Sequence, residues 1–82
     1  MADKTSLTGL VEYLARSIVD KPDEVLVTEV DLSDQLVLEL EVAEEDLGKV
    51  IGRQGRTVKA MRSLLQAASA KTNRRVVLEI VE

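Results

Sequence analysis

The chain has 82 residues, of which 45% are apolar, with a formal charge of −4, no cysteine, no histidine and a single aromatic ring at Tyr13. A chain this short supports one hydrophobic core and therefore one domain, residues 1–82. The absence of Cys and His excludes disulfides, thiolate nucleophiles and the usual transition-metal sites; no metal or cofactor is expected, and no row of aromatic platforms is present on which bases could stack.

With so few rings the interior must be filled by Leu, Val, Ile, Ala and Met. The opening stretch MADKTSLTGL lacks the cationic start and apolar run of a signal peptide. No apolar segment approaches the roughly 20 residues that span a bilayer, so a cytoplasmic chain with no membrane partner is expected.

Leu7, Leu10, Val11, Leu14 and Ile18 fall at helical spacing and predict an amphipathic helix over about 5–19, with Thr5 or Ser6 able to cap it and Pro22 preventing its continuation. EVLVTEV is short and β-branched. QLVLELEV alternates Leu36, Leu38, Leu40 and Val42 against Val37, Glu39 and Glu41. Both read as strands, joined as a hairpin through Ser33 and Asp34, with one aliphatic and one acidic face.

AEEDLGKVI places Glu44, Glu45 and Asp46 where a helix N-terminus favours negative charge and capping oxygens, ahead of Leu47, Val50 and Ile51. A short helix follows, ended by Gly52 in a left-handed conformation. Val58, Met61, Leu65 and Ala68 predict a longer helix from Thr57 to about Lys71 or Thr72, and RVVLEIV closes the chain as a strand. The fold class is α+β in the order α-β-β-α-α-β.

The modest net charge conceals a dipole. Residues 1–46 hold three cations against thirteen acids, a balance of −10, and residues 47–82 hold eight cations against two acids, a balance of +6. Lys49, Arg53, Arg56, Lys59 and Arg62 follow one another without an intervening acid, around Gly52-Arg53-Gln54-Gly55. A bare G-x-x-G is only a tight helix–helix turn. Here the next helix also aims its free amides and positive dipole end into the loop, which makes an anion site, and the cations make it one for phosphates.

Val50-Ile51-Gly52-Arg53-Gln54-Gly55-Arg56-Thr57-Val58 resembles the I-G-x-x-G-x-x-I signature of KH domains, with Val58 in place of the commoner isoleucine. The element order is similar to the bacterial, type II form of that fold, over essentially the whole chain, and the small single-domain KhpA family is the nearest resemblance. The fold it implies is a three-stranded sheet packed against three helices.

The resemblance also implies single-stranded RNA binding: a loop that clamps the backbone of about four nucleotides while bases lie against an aliphatic groove, a mode that needs no aromatics. Such a backbone clamp alone need not sense a 2′-hydroxyl, so single-stranded DNA is not distinguished. Carried over, Gly52 and Gly55 permit close approach and Arg53 and Gln54 meet phosphates or sugars. Lys49, Arg56, Lys59 and Arg62 add affinity or are plain surface charges. Ile51 and Val58, with Leu47, form the groove floor or simply core, since a small domain needs them for burial. Lys71, Arg74 and Arg75 are lesser candidates.

Ala60, Leu64 and Ala67 widen the apolar band of the long helix and suggest a symmetric dimer contact, because two linked weak sites gain from effective concentration. Members of the resembled family are associated with homodimers and with a second KH protein, KhpB (also called Jag or EloR). They are also linked to RNA chaperoning or post-transcriptional regulation, and to cell elongation and division. The alternative is a protein-interaction module that mainly pairs with such a partner, though it would have little need of Arg53 and Arg56. Catalysis is not expected: there is no His or Cys, and G-R-Q-G-R-T lacks the G-K-[ST] ending of a nucleotide-binding loop.

Overall fold

The first apolar stripe folds as helix α1, Thr5–Ile18, in a computed structural model that describes residues 5–70, 72 and 74–82. Leu7, Val11 and Ala15, with Val19 just beyond the helix, make its buried line, and Leu10, Leu14 and Ile18 are only half-buried. The covered stripe is thus rotated towards Ala15, a residue too small to stand out in the periodicity. The side chains of Thr5 and Ser6, expected as caps, lie outside the described part.

Pro22 opens a 3-10 turn, Pro22–Glu24, and the chain then enters strand β1, Leu26–Asp31. A turn closed by the Leu32 amide donating to the Gln35 carbonyl at 2.9 Å returns it as β2, Gln35–Glu41. The hairpin is antiparallel with Val30 opposite Val37 and Thr28 opposite Glu39. Strand β3, Arg75–Ile80, lies parallel to β2 on its other side, with Val77 beside Val37 and Glu79 beside Glu39. The order is β1-β2-β3, so both outer strands are edges.

One sheet face is covered. Leu36, Leu38 and Leu40 of β2 and Val76 and Leu78 of β3 join Leu7, Val11 and Ala15 of α1 and Val58, Met61 and Leu65 of the third helix in a single core. The other face is not purely acidic as the alternation suggested. Val37 is buried there, outside the core cluster, between Val30 and Val77. Cross-strand neighbours decide its burial, and these are set by register across distant segments.

Two helices connect the parallel strands: α2, Leu47–Ile51, preceded by a 3-10 turn over Glu44–Asp46, and α3, Arg56–Ala68. Helix α3 ends three or four residues earlier than its apolar spacing predicts. The Thr72 amide and hydroxyl both donate to the Ser69 carbonyl, at 3.0 and 2.8 Å, and close a turn in place of further helix. Ala68 is exposed, and the inward line continues from Leu65 to Ser69, one full turn on. Lys71 lies outside the described residues.

Asp46 corrects another expectation. It caps no amide of α2. At 1% exposure it accepts hydrogen bonds from the Asp20 amide at 3.2 Å and the Lys21 amide at 3.0 Å, fixing the end of α1 to the start of α2. Lys21 also pairs with Glu45, which holds Lys21 above and Glu45 below their ordinary values. The pair therefore acts from above the ordinary carboxylate range up to the ordinary lysine range, and is lost as falling pH protonates Glu45. Asp46→Ala would leave two amides without their acceptor and is expected to cost about 2 kcal/mol. In a domain this small, that lowers the thermal midpoint by about 10 °C in calorimetry.

Candidate nucleic-acid interface

The loop between α2 and α3 owes its shape to three backbone conformations, at Gly52, Gln54 and Gly55. The Gly52 amide ends α2 by donating to the Gly48 carbonyl at 2.8 Å, and Gly52 then takes φ 79°, ψ 169°. This is not the left-handed helical conformation expected of it. It is the extended mirror region, essentially confined to glycine. A Cβ at Gly52 would also lie 2.7 Å from the Cβ and 2.8 Å from the backbone nitrogen of Thr57.

Gln54 and Gly55 are the residues in left-handed helical geometry, at φ 57° and 74°, and the Gly55 amide closes the turn on the Gly52 carbonyl at 3.1 Å. Gly55 therefore sits at the N-cap of α3 with no side chain to offer, and no side chain caps that helix. A Cβ built on Gly55 meets nothing within 4 Å. Of the two glycines, Gly52 has its space closed by the fold and Gly55 has space left open to solvent. The open one faces the positive end of the helix.

The five cations separate into two groups. Arg53, Arg56 and Lys59 are exposed and have no acidic partner among the described residues; the Arg56 guanidinium reaches the Gln54 side-chain oxygen at 3.5 Å. Lys49 is paired with Asp20 at 3.2 Å, and Arg62 donates through Nε and Nη2 to the Leu78 carbonyl at 3.3 and 3.2 Å. Arg74 is engaged as well: it pairs with Asp31 and donates to the carbonyls of Leu32 and Gln35, holding the hairpin turn against β3. Arg75 is exposed.

Among the aliphatics, Val58 is buried in the core, and Ile51 and Leu47 are half-buried. Ile51 and Leu47 thus keep surface for a ligand; Val58 is chiefly core. Sequence reasoning missed the cleft of about 250 Å³ between α3 and the edge strand β3, walled by Arg62, Leu65 and Gln66 on one side and by Arg75 to Leu78 on the other. Gln66 carried no distinguishing signal and Arg75 only that of a lesser cation, because their meeting depends on β3 being an edge beside α3. The apolar band on α3 is where it was expected: Leu64 is 50% exposed, and Ala60 and Ala67 are exposed beside it.

A family profile described as KhpA/KhpB, KH domain, matches residues 8–80, which span every strand and nearly all of the helices. The chain belongs to this family. It is 56% identical over 72 residues to the RNA-binding protein KhpA of Clostridium acetobutylicum, covering 88% of this chain and 96% of that one. The RNA-binding protein KhpA of Borreliella burgdorferi is 49% identical over 73 residues, covering 89% of each. That of Aquifex aeolicus is 46% identical over 78 residues, covering 95% and 99%. No solved structure matches the chain significantly. The KhpA/KhpB membership agrees with the fold, whose helix-strand-strand-helix-helix-strand order and mixed three-stranded sheet are KH-like. Among the described residues, no helix is long and apolar enough to cross a membrane.

Proposed function

We propose that this protein binds single-stranded RNA, with the Gly52–Gly55 loop clamping the backbone and α3 supplying its uncapped N-terminus. The observation that carries the reading is the conjunction at that terminus: an open Gly55, no competing side-chain cap, and three cations with no acidic partner among the described residues. Each feature costs the isolated fold something or gives it nothing, and together they suit a phosphodiester. Arg53, Arg56, Lys59 and the Gln54 amide serve the backbone. Lys49 and Arg62 contribute through the local field, since their charged ends are already engaged. Bases lie along Ile51 and Leu47 and reach the cleft beside β3, where Gln66 and Arg75 present polar edges.

The relatives' printed names support this reading, as does the intact signature loop. A role as RNA chaperone or post-transcriptional regulator, connected with cell elongation and division, is the biological setting the family resemblance implies. Fluorescence anisotropy with a short labelled single-stranded RNA tests the binding. An Arg53→Ala, Arg56→Ala chain that stays folded by circular dichroism is expected to lose most of the affinity. Unchanged affinity would shift the reading to a protein partner.

The exposed Leu64 favours a second element, a symmetric contact between copies through Ala60, Leu64 and Ala67, or the same band set against a second KH protein such as KhpB. One four-nucleotide site binds weakly, and linking two raises the effective concentration of the second. Leu64→Asp is expected to convert a dimer to a monomer in light scattering without loss of helicity. A dimer mass kept by that variant would count against the contact.

A further inference from the structure

The sheet face turned away from the helices carries a pattern that neither the core nor an RNA site explains. Beyond the polar pair of Gln35 and Arg75 at one end, three rows cross it, each about 6.7 Å from the next, twice the rise per strand residue. The first is aliphatic: Val30, Val37 and Val77, neighbours in register across all three strands. The second is Thr28, Glu39 and Glu79. The third begins with Leu26 opposite Glu41 and is continued by Val81 just past β3, with Leu26 55% and Val81 42% exposed.

Glu39 and Glu79 are direct neighbours on parallel strands, and like charges so placed destabilise a sheet. Neither has an ion pair or hydrogen-bond partner among the described residues, and Glu39 is half-buried. The fold gains nothing from this row. Its sign also selects among occupants. RNA is repelled. A second copy laid face to face would set the carboxylates against their like.

We propose that this face docks a basic amphipathic helix of a protein partner, aliphatic–cation–aliphatic in pattern. Four helical residues rise 6.0 Å, close to the spacing of the rows. A Lys or Arg at i+4 then meets Glu39 and Glu79, with aliphatic residues at i against the valine row and at i+7 or i+8 against Leu26 and Val81. Two carboxylates that repel each other in the free protein share one desolvated cation in the complex. The surface lies on the opposite side of the sheet from the core that carries α3, so the Gly52–Gly55 loop stays free when the helix is bound; only the β3 edge, through Arg75 and Val77, is common to this face and the cleft.

The probe is a designed helical peptide of about 14 residues carrying Leu at i, Lys at i+4 and Leu at i+7 and i+8, titrated into the isotope-labelled full chain and followed by NMR. Shifts are expected to concentrate on Val30, Val37, Glu39, Val77 and Glu79. The paired Glu39→Lys, Glu79→Lys chain replaces one like-charge pair by another, so its fold is a fair match for the wild type. It should bind the Lys peptide at least tenfold more weakly and gain affinity for the same peptide with Glu in place of Lys. An Asp23→Lys, Glu24→Lys chain should bind as the wild type does. Shifts scattered over the acidic Pro22–Glu24 and Glu44–Asp46 turns, or a charge reversal that fails to transfer preference, would overturn the proposal.

Discussion

Gly52→Ala is expected to cost about 3 kcal/mol or more, because it places a Cβ in a backbone region nearly closed to L-residues and against Thr57 at the same time. Small domains have total stabilities near the lower end of about 5–15 kcal/mol, so the loss is most of what is available. Denaturant unfolding should show a large fall in midpoint with an unchanged slope. Gly55→Asp differs in kind. Its φ of 74° lies in the left-handed helical region that Asp tolerates, and its Cβ enters empty space, so a loss of about 1 kcal/mol is expected. A Gly52→Ala chain as stable as the wild type would contradict the loop geometry described here.

The second large effect is on the salt dependence of RNA binding. If the three exposed cations with no acidic partner among the described residues, Arg53, Arg56 and Lys59, each neutralise one phosphate, log Kobs falls with log salt at a slope of about −2 for a single strand, which is about 20-fold between roughly 50 and 200 mM. Engagement of all five cations from Lys49 to Arg62 would give about −3.5, and about 130-fold across the same range. The Lys49–Asp20 pair and the Arg62–Leu78 hydrogen bonds favour the smaller value. A slope near −3.5 would mean that RNA draws Lys49 and Arg62 out of their internal contacts.

Much of this was legible in the sequence because it depends on local spacing. The stripe of α1, the alternation of β2 and the glycine pair each declare themselves within about fifteen residues. What escaped notice depends on segments far apart in the chain. Asp46 reads as a helix cap and serves the amides of Asp20 and Lys21, twenty-five or more positions away. Lys49 and Arg62 look equivalent to Arg53 and Arg56 as letters, and only the fold shows that they are held by Asp20 and Leu78, as Arg74 is by the hairpin turn. Val37 alternates with Leu36 and Leu38 and so reads with Glu39 and Glu41 on the acidic face, and cross-strand valines bury it. The end of α3 moved because Thr72 competes for the Ser69 carbonyl, a local bond that apolar periodicity does not register.

The structural distinction between the two glycines also separates folding from binding. An acidic side chain at Gly52 damages the loop and the fold together, so lost RNA affinity there has two explanations. At Gly55 an acidic side chain projects into the proposed phosphate site and leaves the turn nearly intact. The most direct measurement is therefore the affinity of a short labelled single-stranded RNA for wild-type and Gly55→Asp chains across a salt titration, with the fold of each checked by circular dichroism. The clamp predicts salt-dependent binding by the wild type, largely abolished in a Gly55→Asp chain that remains folded. Equal binding by both chains, or none by the wild type, would contradict it.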